Sequence, residues 1–153
     1  MVGVFLKSEQ ELKYAKKGDS GVDVKALRYS NVEDLDLELE ITEEGLTLNP
    51  LDRVLIKTGV KMALPVGYEI QVRPRSGMSL KYGLVATLGT IDSGYRGDIG
   101  VILVNLSNKP YTIQKNERVA QLVCVKYEEM DFKIVSELPT SDRGIGGFGH
   151  TGK

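Results

Sequence analysis

Short runs rich in β-branched residues recur along the chain, and most are ended by a glycine or proline turn. Residues 53–57, 60–64, 68–73 and 99–104 are such runs, and the chain contains 17 glycines. Runs of this length with turn residues at their ends are typical of strands that tight turns connect. The pattern predicts an all-β fold, and 153 residues are enough for one domain with a buried core.

The central stretch, residues 89–99, joins two apolar runs across a glycine-rich turn. Both runs are predicted strands, so the stretch is expected to be a tight hairpin. It carries Asp92, Tyr95 and Arg96. An Asp-Ser-Gly turn explains most of these residues by itself. A carboxylate, an aromatic ring and a guanidinium beside flexible glycines could equally hold a small flat ligand that carries phosphate.

A second candidate site follows the run 68–73. Arg75 and Ser76 lead into residues 77–82, which are predicted to form one or two helical turns that Gly83 closes. Free N–H groups at a helix start, together with an arginine, suit phosphate oxygens. A plain turn with a surface arginine explains the same residues, so both interpretations stay open.

Nearer the N-terminus, residues 2–7 are predicted to form the first strand and residues 9–17 a turn or a short helix. A turn then leads into a strand that contains Asp23. Because Asp23 stands between two valines, its side chain points to the face opposite theirs. It is therefore expected either on a solvent face or held by a partner.

An acidic segment at residues 33–44 alternates leucine or isoleucine with aspartate or glutamate over much of its length. This is strand periodicity with one acidic face, and it predicts an exposed hairpin arm at about residues 30–45. A solvated edge strand protected by charge has this pattern, and so does an acidic docking surface.

Composition excludes several classes of protein. The net charge of -1 provides no global basic field, so neither nucleic acid nor membrane is an expected partner. No apolar run is long enough to span a bilayer or to act as a signal peptide. The single cysteine, Cys124, allows no intramolecular disulfide, which fits a cytoplasmic location. Its apolar neighbours predict a core residue rather than a nucleophile.

Residues 139–153 are too rich in glycine to hold a fixed shape alone, and they are predicted to be a tail on a domain of residues 1–138. The end of the tail matches part of a P-loop, but no strand clearly precedes it, so a P-loop is not predicted. The tail also carries charged, aromatic and hydroxyl side chains: Arg143, Phe148, His150 and Thr151. A disordered end and a lid that orders on a nucleotide are the two interpretations.

Taken together, these residues make the sequence resemble the trimeric deoxyuridine triphosphate nucleotidohydrolases (dUTPases). The likeness covers nearly the whole chain as five ordered motifs. They are Ser20-Gly21-Val22-Asp23-Val24, Pro74-Arg75-Ser76-Gly77-Met78, residues 89–97, Arg118-Val119-Ala120-Gln121-Leu122 and residues 143–152. Each motif alone is weak, and their order and spacing carry the resemblance.

The resemblance implies a jelly-roll-like β-barrel and a homotrimer whose active sites are shared between subunits. It implies hydrolysis of dUTP to dUMP and pyrophosphate, with Mg²⁺ held on the triphosphate. Such a reaction limits uracil incorporation into DNA and supplies dUMP for dTMP synthesis. At the matching positions, Asp92 activates the water that attacks the α-phosphate. Asp23 either contacts the magnesium through water or braces the site.

The resemblance also implies which residues bind the nucleotide. Tyr95 packs against the deoxyribose and leaves no room for a 2′-hydroxyl. The backbone of Gly89, Thr90 and Ile91 reads the uracil edge, so that cytosine would leave buried groups unpaired. Phosphates and the closing tail are expected to involve Arg75, Ser76, Gly77, Gln121, Arg143, Gly147, Phe148, His150 and Thr151, with Phe148 stacking over uracil.

The chain departs from the family pattern at three positions. Val22 stands where a tyrosine is usual, His150 where a serine is usual, and Ala86 where some bacterial members carry asparagine. His150 would make its phosphate contact depend on pH, and Ala86 leaves base recognition to the backbone. The acidic segment at residues 33–44 looks like an insertion relative to compact members.

Three other functions compete with dUTP hydrolysis. A dCTP deaminase has a related fold but carries a glutamate in the third motif, where this chain has Asp92. A nucleotide-responsive binding protein would sense dUTP and dock a partner, for example through the acidic arm. A structural jelly-roll oligomer, such as a coat protein, would not need the tail at residues 143–151.

Overall fold

The structure is a computed structural model that describes residues 1–147, and within them thirteen β-strands and one short helix are the regular elements. In chain order these are β1 (Phe5–Ser8), β2 (Gly21–Lys25), β3 (Arg28–Asn31), β4 (Asp34–Glu40), β5 (Leu46–Leu48), β6 (Arg53–Lys57), β7 (Val60–Ala63), β8 (Tyr68–Pro74), α1 (Ser76–Tyr82), β9 (Leu84–Ala86), β10 (Gly89–Ile91), β11 (Gly100–Asn105), β12 (Tyr111–Ile113) and β13 (Arg118–Lys126). The prediction of an all-β fold is confirmed.

The strands form two main sheets and two short ribbons. One main sheet has the strand order β10-β8-β13-β2, and the other has the order β4-β3-β6-β11-β9. The ribbons pair β1 with β7 and β12 with β5. The strand pairs are antiparallel, so one face of each main sheet can pack inward while the other is solvated.

One apolar cluster joins the inner faces of the two main sheets. Ile70 and Val72 of β8 belong to it, and so do Ile56 and Leu103 from the other sheet. Fully burying each such side chain stabilises the fold by about 1.5–3 kcal/mol, so the cluster fixes which face of each strand points inward. Cys124, predicted to be a core residue, is partly buried and packs against this cluster, and burial raises the pKa of its thiol.

The helix α1 ends at a glycine, as the sequence predicts. Gly83 has a φ of 67°, and its N–H donates to the carbonyl oxygen of Ser79 at 3.1 Å. A Cβ at this position would lie 2.7 Å from the Cβ of Ser107. Both the left-handed backbone and the close approach of Ser107 therefore require glycine here.

The predicted hairpin at residues 89–99 is not formed. β10 pairs with β8, whereas β11 pairs with β6 and β9 in the other main sheet. The residues between β10 and β11 therefore cross from one sheet to the other. The apolar runs on both sides of the turn correctly predict strands. Such runs do not show whether the two strands pair with each other or with other strands.

Two smaller expectations near the strands are also corrected. The first strand begins at Phe5 rather than at residue 2, and the apolar run that leads into the central turn is divided between β9 and β10. Of the turn and the short helix expected at residues 9–17, the structure has bends and a turn. The side chain of Gln10 bonds Lys25 N and O and Thr58 O, which holds this segment across the two sheets.

The acidic arm is the hairpin of β3 and β4, and it is exposed as predicted. Leu35 and Leu37 are both about half exposed, so the leucine face of β4 is not buried within the chain. Glu38 and Glu40 form ion pairs with Arg28 and Lys115. These pairs fasten β4 to its surroundings at its C-terminal part.

Residues 127–147, beyond β13, contain no strand or helix. Those before residue 139 form a connector between β13 and the tail. Met130, Phe132 and Ile134 alternate along it and are strongly exposed. The division into residues 1–138 and 139–153 stays a prediction. Within the described part of the chain α1 is the one helix, and it is too short to cross a membrane.

Candidate active site

Three of the five motifs meet at one end of the β10-β8-β13-β2 sheet. Asp23 on β2 lies directly opposite Gln121 on β13, and Gln121 lies opposite Arg73 on β8. Directly opposed residues project from the same face of a sheet. Arg75 follows the end of β8 and reaches the same region. We call Asp23, Arg75, Arg118 and Gln121 the arginine cluster.

A β-bulge in β13 brings Arg118 to the same face as Gln121. Residues three apart in a regular strand point to opposite faces. The register of β13 against β2 shifts between Arg118 and Ala120. The extra residue of the bulge reverses the alternation once, so both side chains line the same cleft.

Asp23 holds both arginines of the cluster. Arg75 Nε donates to Asp23 Oδ1 at 3.0 Å, and Arg118 Nη1 donates to Oδ2 at 3.4 Å. Arg75 Nη1 also donates to the carbonyl oxygen of Arg118 at 3.0 Å. The carboxylate of Asp23, expected on a solvent face or held by a partner, is therefore held. Two guanidinium groups share one carboxylate, which leaves an excess of positive charge suited to an anion.

The start of α1 adds backbone donors beside Arg75. Met78 N and Ser79 N both donate to the carbonyl oxygen of Arg75, and no side chain of the described residues caps this end. The N–H groups of Ser76 and Gly77 lie in the first turn of α1, ahead of the first intrahelical hydrogen bonds. They therefore have no acceptor within the helix. Among residues 1–147, leaving aside its two chain neighbours and the backbone of α1, no other residue lies within 4 Å of the position that a Cβ on Gly77 would take. A ligand oxygen can therefore approach the backbone here.

Three members of the arginine cluster, Asp23, Arg118 and Gln121, line a cleft of about 660 Å³. Its wall includes Gly21, which the sequence analysis left without a role. A Cβ on Gly21 would collide with the side chain of Gln121, whose Nε2 donates to the carbonyl oxygen of Pro74 at 3.0 Å. Gly21 thus leaves the space that Gln121 occupies, a role visible only once β2 and β13 are paired.

Asp92 and Tyr95 lie beyond the end of β10, in a loop of residues 92–98 that we call the Asp92 loop. Tyr95 N donates to the carbonyl oxygen of Asp92 at 3.0 Å, and the Tyr95 hydroxyl donates to that of Asp98 at 3.0 Å. Arg96 Nη1 donates to the carbonyl oxygens of Ser93 and Tyr95. Asp92 is exposed and the Tyr95 residue is 46% exposed, so both face solvent from a loop that bonds to itself.

β10 is an edge strand of its sheet in the described residues. Gly89, Thr90 and Ile91 pair with β8 on one side only. An edge strand presents backbone N–H and C=O groups that a planar ligand can bond as a further strand would. The backbone that was expected to read a base edge is therefore available for that contact.

Asp98 also belongs to this region, although no sequence motif indicates a role for it. Its Oδ1 accepts a hydrogen bond from Thr58 N at 3.0 Å, and its Oδ2 accepts one from Gly59 N at 2.7 Å. Burial raises the pKa of Asp98, although the two amides oppose that effect. No sequence pattern pairs a carboxylate with amides about 40 residues away, so only the fold reveals the contact.

The two groups of site residues are far apart in one chain. Asp92 follows Ile91, which pairs with Ile70, whereas Asp23 lies level with Arg73 across β13. The two residues are separated by four residues along the strand direction and by three strand spacings across the sheet. Each of these two separations is about 14 Å. The structure brings together Asp23, Arg75, Arg118 and Gln121, but it does not bring Asp92 or Tyr95 to them.

The tail residues are only partly described. Arg143 Nε donates to the carbonyl oxygen of Gly146 at 2.8 Å, within a turn of its own. Gly147 is the last residue described, and Phe148, His150 and Thr151 lie outside the described residues. Among the described residues, the tail makes no hydrogen bond or ion pair to the arginine cluster or to the Asp92 loop.

Carboxylates do not form a metal cage in the described part of the chain. Residues 1–147 contain no group of three or more histidine, cysteine, aspartate or glutamate side chains suited to hold a metal ion. Asp23 is the carboxylate beside the candidate phosphate donors, and both of its oxygens accept bonds from arginine. A metal at this cleft would thus need most of its ligands from elsewhere, such as a bound triphosphate.

Two solved structures resemble this one over almost its whole length. The Staphylococcus bacteriophage 80alpha dUTPase, solved with dUPNHPP, has a TM-score of 0.82 and 27% identity, with 99% of each chain covered. Its G164S mutant with dUpNHpp has a TM-score of 0.81, 27% identity and the same coverage. These likenesses confirm the predicted jelly-roll-like fold of the dUTPases.

Sequence comparisons agree with the structural ones. A Fusobacterium nucleatum deoxyuridine 5′-triphosphate nucleotidohydrolase is 49% identical over 143 residues, covering 92% of this chain and 88% of the relative. A protein of the same description from Finegoldia magna is 46% identical over 154 residues, covering 99% and 98%. The dUTPase family model matches residues 10–152, so the chain belongs to the dUTPase family.

Proposed function

We propose that the chain is a dUTP diphosphatase, which hydrolyses dUTP to dUMP and pyrophosphate. Membership of the dUTPase family supports this reaction. The observation that carries it is the Asp92 loop, where an exposed carboxylate and an exposed tyrosine ring follow an edge strand with free backbone groups. The edge strand can bond the uracil, the tyrosine ring can pack against the sugar, and the carboxylate can accept a proton from the attacking water.

Asp92 is the proposed general base. It accepts a proton from the water that attacks the α-phosphate, and its exposed position leaves room for that water beside the carboxylate. Its carbonyl oxygen accepts the N–H of Tyr95 at 3.0 Å. That bond supports a fixed spacing between the base and the sugar-binding ring.

The free edge of β10 is the proposed uracil reader. The backbone groups of Gly89, Thr90 and Ile91 can pair with the donor and acceptor groups of uracil, whereas cytosine presents the reverse pattern and leaves buried groups unpaired. The ring of Tyr95 packs against the deoxyribose and excludes a 2′-hydroxyl. The edge position of β10 supports this assignment.

The arginine cluster is the proposed phosphate site. Arg75, the N–H groups of Ser76 and Gly77, and Gln121 donate to phosphate oxygens, while Asp23 orients Arg75. These fixed donors stabilise the charge on the transferring phosphorus. Arg143, Gly147, Phe148, His150 and Thr151 of the tail are proposed to close over the nucleotide, and Phe148 to stack on uracil.

We propose a homotrimer with shared active sites. The arginine cluster and Asp92 of one chain are separated by about 14 Å in each of two directions, so they do not serve the same phosphate. Copies that contribute one half each would complete the site. The alternating Met130, Phe132 and Ile134 also expose apolar side chains that a neighbouring copy could cover.

Mg²⁺ is the proposed cofactor, carried on the triphosphate. The described residues fit this arrangement, because they form no metal-binding cluster of their own. The Asp23 carboxylate already accepts a hydrogen bond from arginine, so it is proposed to contact the metal only through a bound water. When bound, the ion offsets the negative charge of the phosphates. A cytoplasmic location stays a prediction from the single cysteine.

Pyrophosphate release with magnesium from dUTP, dCTP, dTTP and UTP in parallel tests the proposal. Release from dUTP alone is expected. Deamination of dCTP would favour the related deaminase, and tight dUTP binding without turnover would favour a nucleotide sensor. No binding of dUTP at all would leave the structural jelly-roll oligomer.

A further inference from the structure

No strand ladder holds the Asp92 loop in place, because β10 and β11 belong to different sheets. Within the described residues, the hydrogen bonds of Tyr95 and Arg96 run to other residues of the same loop. These bonds give the loop its shape but do not attach it to the barrel. Its attachment must come from its ends.

The C-terminal end of the loop is attached through Asp98. The carboxylate accepts two consecutive backbone N–H groups, Thr58 N at 3.0 Å and Gly59 N at 2.7 Å. The next residue continues the contact, because Ile99 N donates to the carbonyl oxygen of Val60 at 2.8 Å. Residues 58–59 join β6 to β7, so this contact ties the loop to the body of the fold.

The same residue also holds the ring of Tyr95. The Tyr95 hydroxyl donates to the backbone carbonyl oxygen of Asp98 at 3.0 Å. A Cβ on Gly97 would collide with the Tyr95 ring, so the ring lies directly over the Gly97 backbone. The ring is thus held by the Gly97 backbone and the Asp98 carbonyl group.

We infer that Asp98 is a positioning residue for the dUTPase reaction, which fixes Tyr95 and Asp92 by joining their loop to the 58–59 turn. This inference rests on the proposed roles of Asp92 and Tyr95. Both carboxylate oxygens of Asp98 are engaged by backbone N–H groups, and its effect reaches the substrate through Tyr95.

The chemistry of the contact requires a carboxylate. Each oxygen of Asp98 accepts one N–H, whereas an asparagine has one acceptor oxygen and one NH₂ group. An asparagine at this position would turn a donor toward either Thr58 N or Gly59 N. One buried amide would lose its acceptor while the size of the side chain stayed the same.

Asp98→Asn is therefore the decisive variant, and Asn105→Ala is its matched control. Asn105 lies at the other end of β11, is fully buried, and donates to the carbonyl oxygens of Leu48 and Lys109. The Asn105→Ala variant loses more hydrogen bonds than Asp98→Asn does, because Asn105 Oδ1 also accepts bonds from Ser107 N and Oγ, and none of them reaches the Asp92 loop. For both variants the kcat/KM ratio of dUTP over UTP and the thermal midpoint are measured.

Asp98→Asn is expected to lower the dUTP over UTP ratio about tenfold, since one hydrogen bond to a charged acceptor is lost. Asn105→Ala is expected to lower the thermal midpoint but to keep the ratio. An unchanged ratio in folded Asp98→Asn protein would overturn the inference. So would an equal loss of the ratio in both variants, because the effect would then be one of general stability.

A second pair of measurements keeps the inference testable if Asp98→Asn does not fold or if the wild-type chain does not hydrolyse dUTP. Tyr95→Phe removes only the bond to the Asp98 carbonyl oxygen, and it is expected to lower the ratio several-fold. Hydrogen exchange at Tyr95 N is expected to speed up in Asp98→Asn but not in Asn105→Ala. That readout needs no turnover, so it separates failure of this inference from failure of the proposed reaction.

Discussion

The arginine cluster and the Asp92 loop occupy opposite ends of the same sheet but are built in different ways. The arginine cluster takes its side chains from β2, from β13 and from the residue after β8, and strand register brings them together. The Asp92 loop is one continuous segment whose shape comes from bonds to its own backbone. Apart from loss of the Asp92 carboxylate itself, changes of charge should therefore act most strongly at the first end, and changes of backbone geometry at the second.

The largest expected effect is that of Asp92→Asn. The proposed general base would be lost while the backbone bonds of the loop remain, so kcat should fall by about 10²–10⁴-fold. Binding of a non-hydrolysable dUTP analogue, measured by calorimetry, should change little. Wild-type turnover in this variant would show that the loop supplies no base.

Arg75→Ala should reduce kcat/KM for dUTP by about 10²-fold, because the variant loses charge-assisted hydrogen bonds to phosphate and leaves Asp23 without its shorter ion pair. Arg75→Lys is the matched control. It keeps the charge but not the planar fork, and an intermediate loss is expected. If kcat/KM stayed constant in both variants, the phosphate role of the arginine cluster would be wrong.

A pair of glycine substitutions sharpens the contrast between the two ends. Gly97→Ala should push the Tyr95 ring aside and lower the dUTP over UTP ratio about tenfold, whereas Gly21→Ala should displace Gln121 and raise KM for both nucleotides. Steady-state kinetics with dUTP and UTP separate the two outcomes. The comparison fails if both variants change the same parameter.

The smallest expected effect is that of ionic strength. Because the arginine cluster is partly exposed, KM for dUTP should rise about three- to tenfold between low and high salt. The dUTP over UTP ratio should stay constant, since backbone contacts and ring packing set it. A ratio that followed the salt concentration would mean that charge contributes to sugar selection.

Much of this fold could be predicted from local patterns. The runs that form β6, β8 and β11 were found because β-branched residues and turn glycines mark them directly. Gly83 was correctly expected to end α1, since a left-handed backbone position favours glycine. The partner of each strand was less predictable, and the supposed hairpin at residues 89–99 was wrong for that reason.

The site was predictable as a set of residues but not as an arrangement. The resemblance to the family selected Asp23, Arg75 and Gln121, which the structure brings to one end of the sheet. It did not reveal Asp98, whose partners are about 40 residues away. Nor could it show that Gly21 makes room for Gln121, because that depends on how two distant strands are paired.

The bulge in β13 has a consequence for how this chain can change in length. Arg118 and Gln121 share a face only because one extra residue stands between them and the regular ladder. Deleting a single residue there would restore ideal pairing and turn one of the two side chains into the core. An insertion would also move the two side chains to opposite faces. Val119 and Ala120 between them are buried, so these positions are expected to vary only among small and medium apolar residues. Natural variants of this segment are therefore expected to keep its length even where their residue types differ.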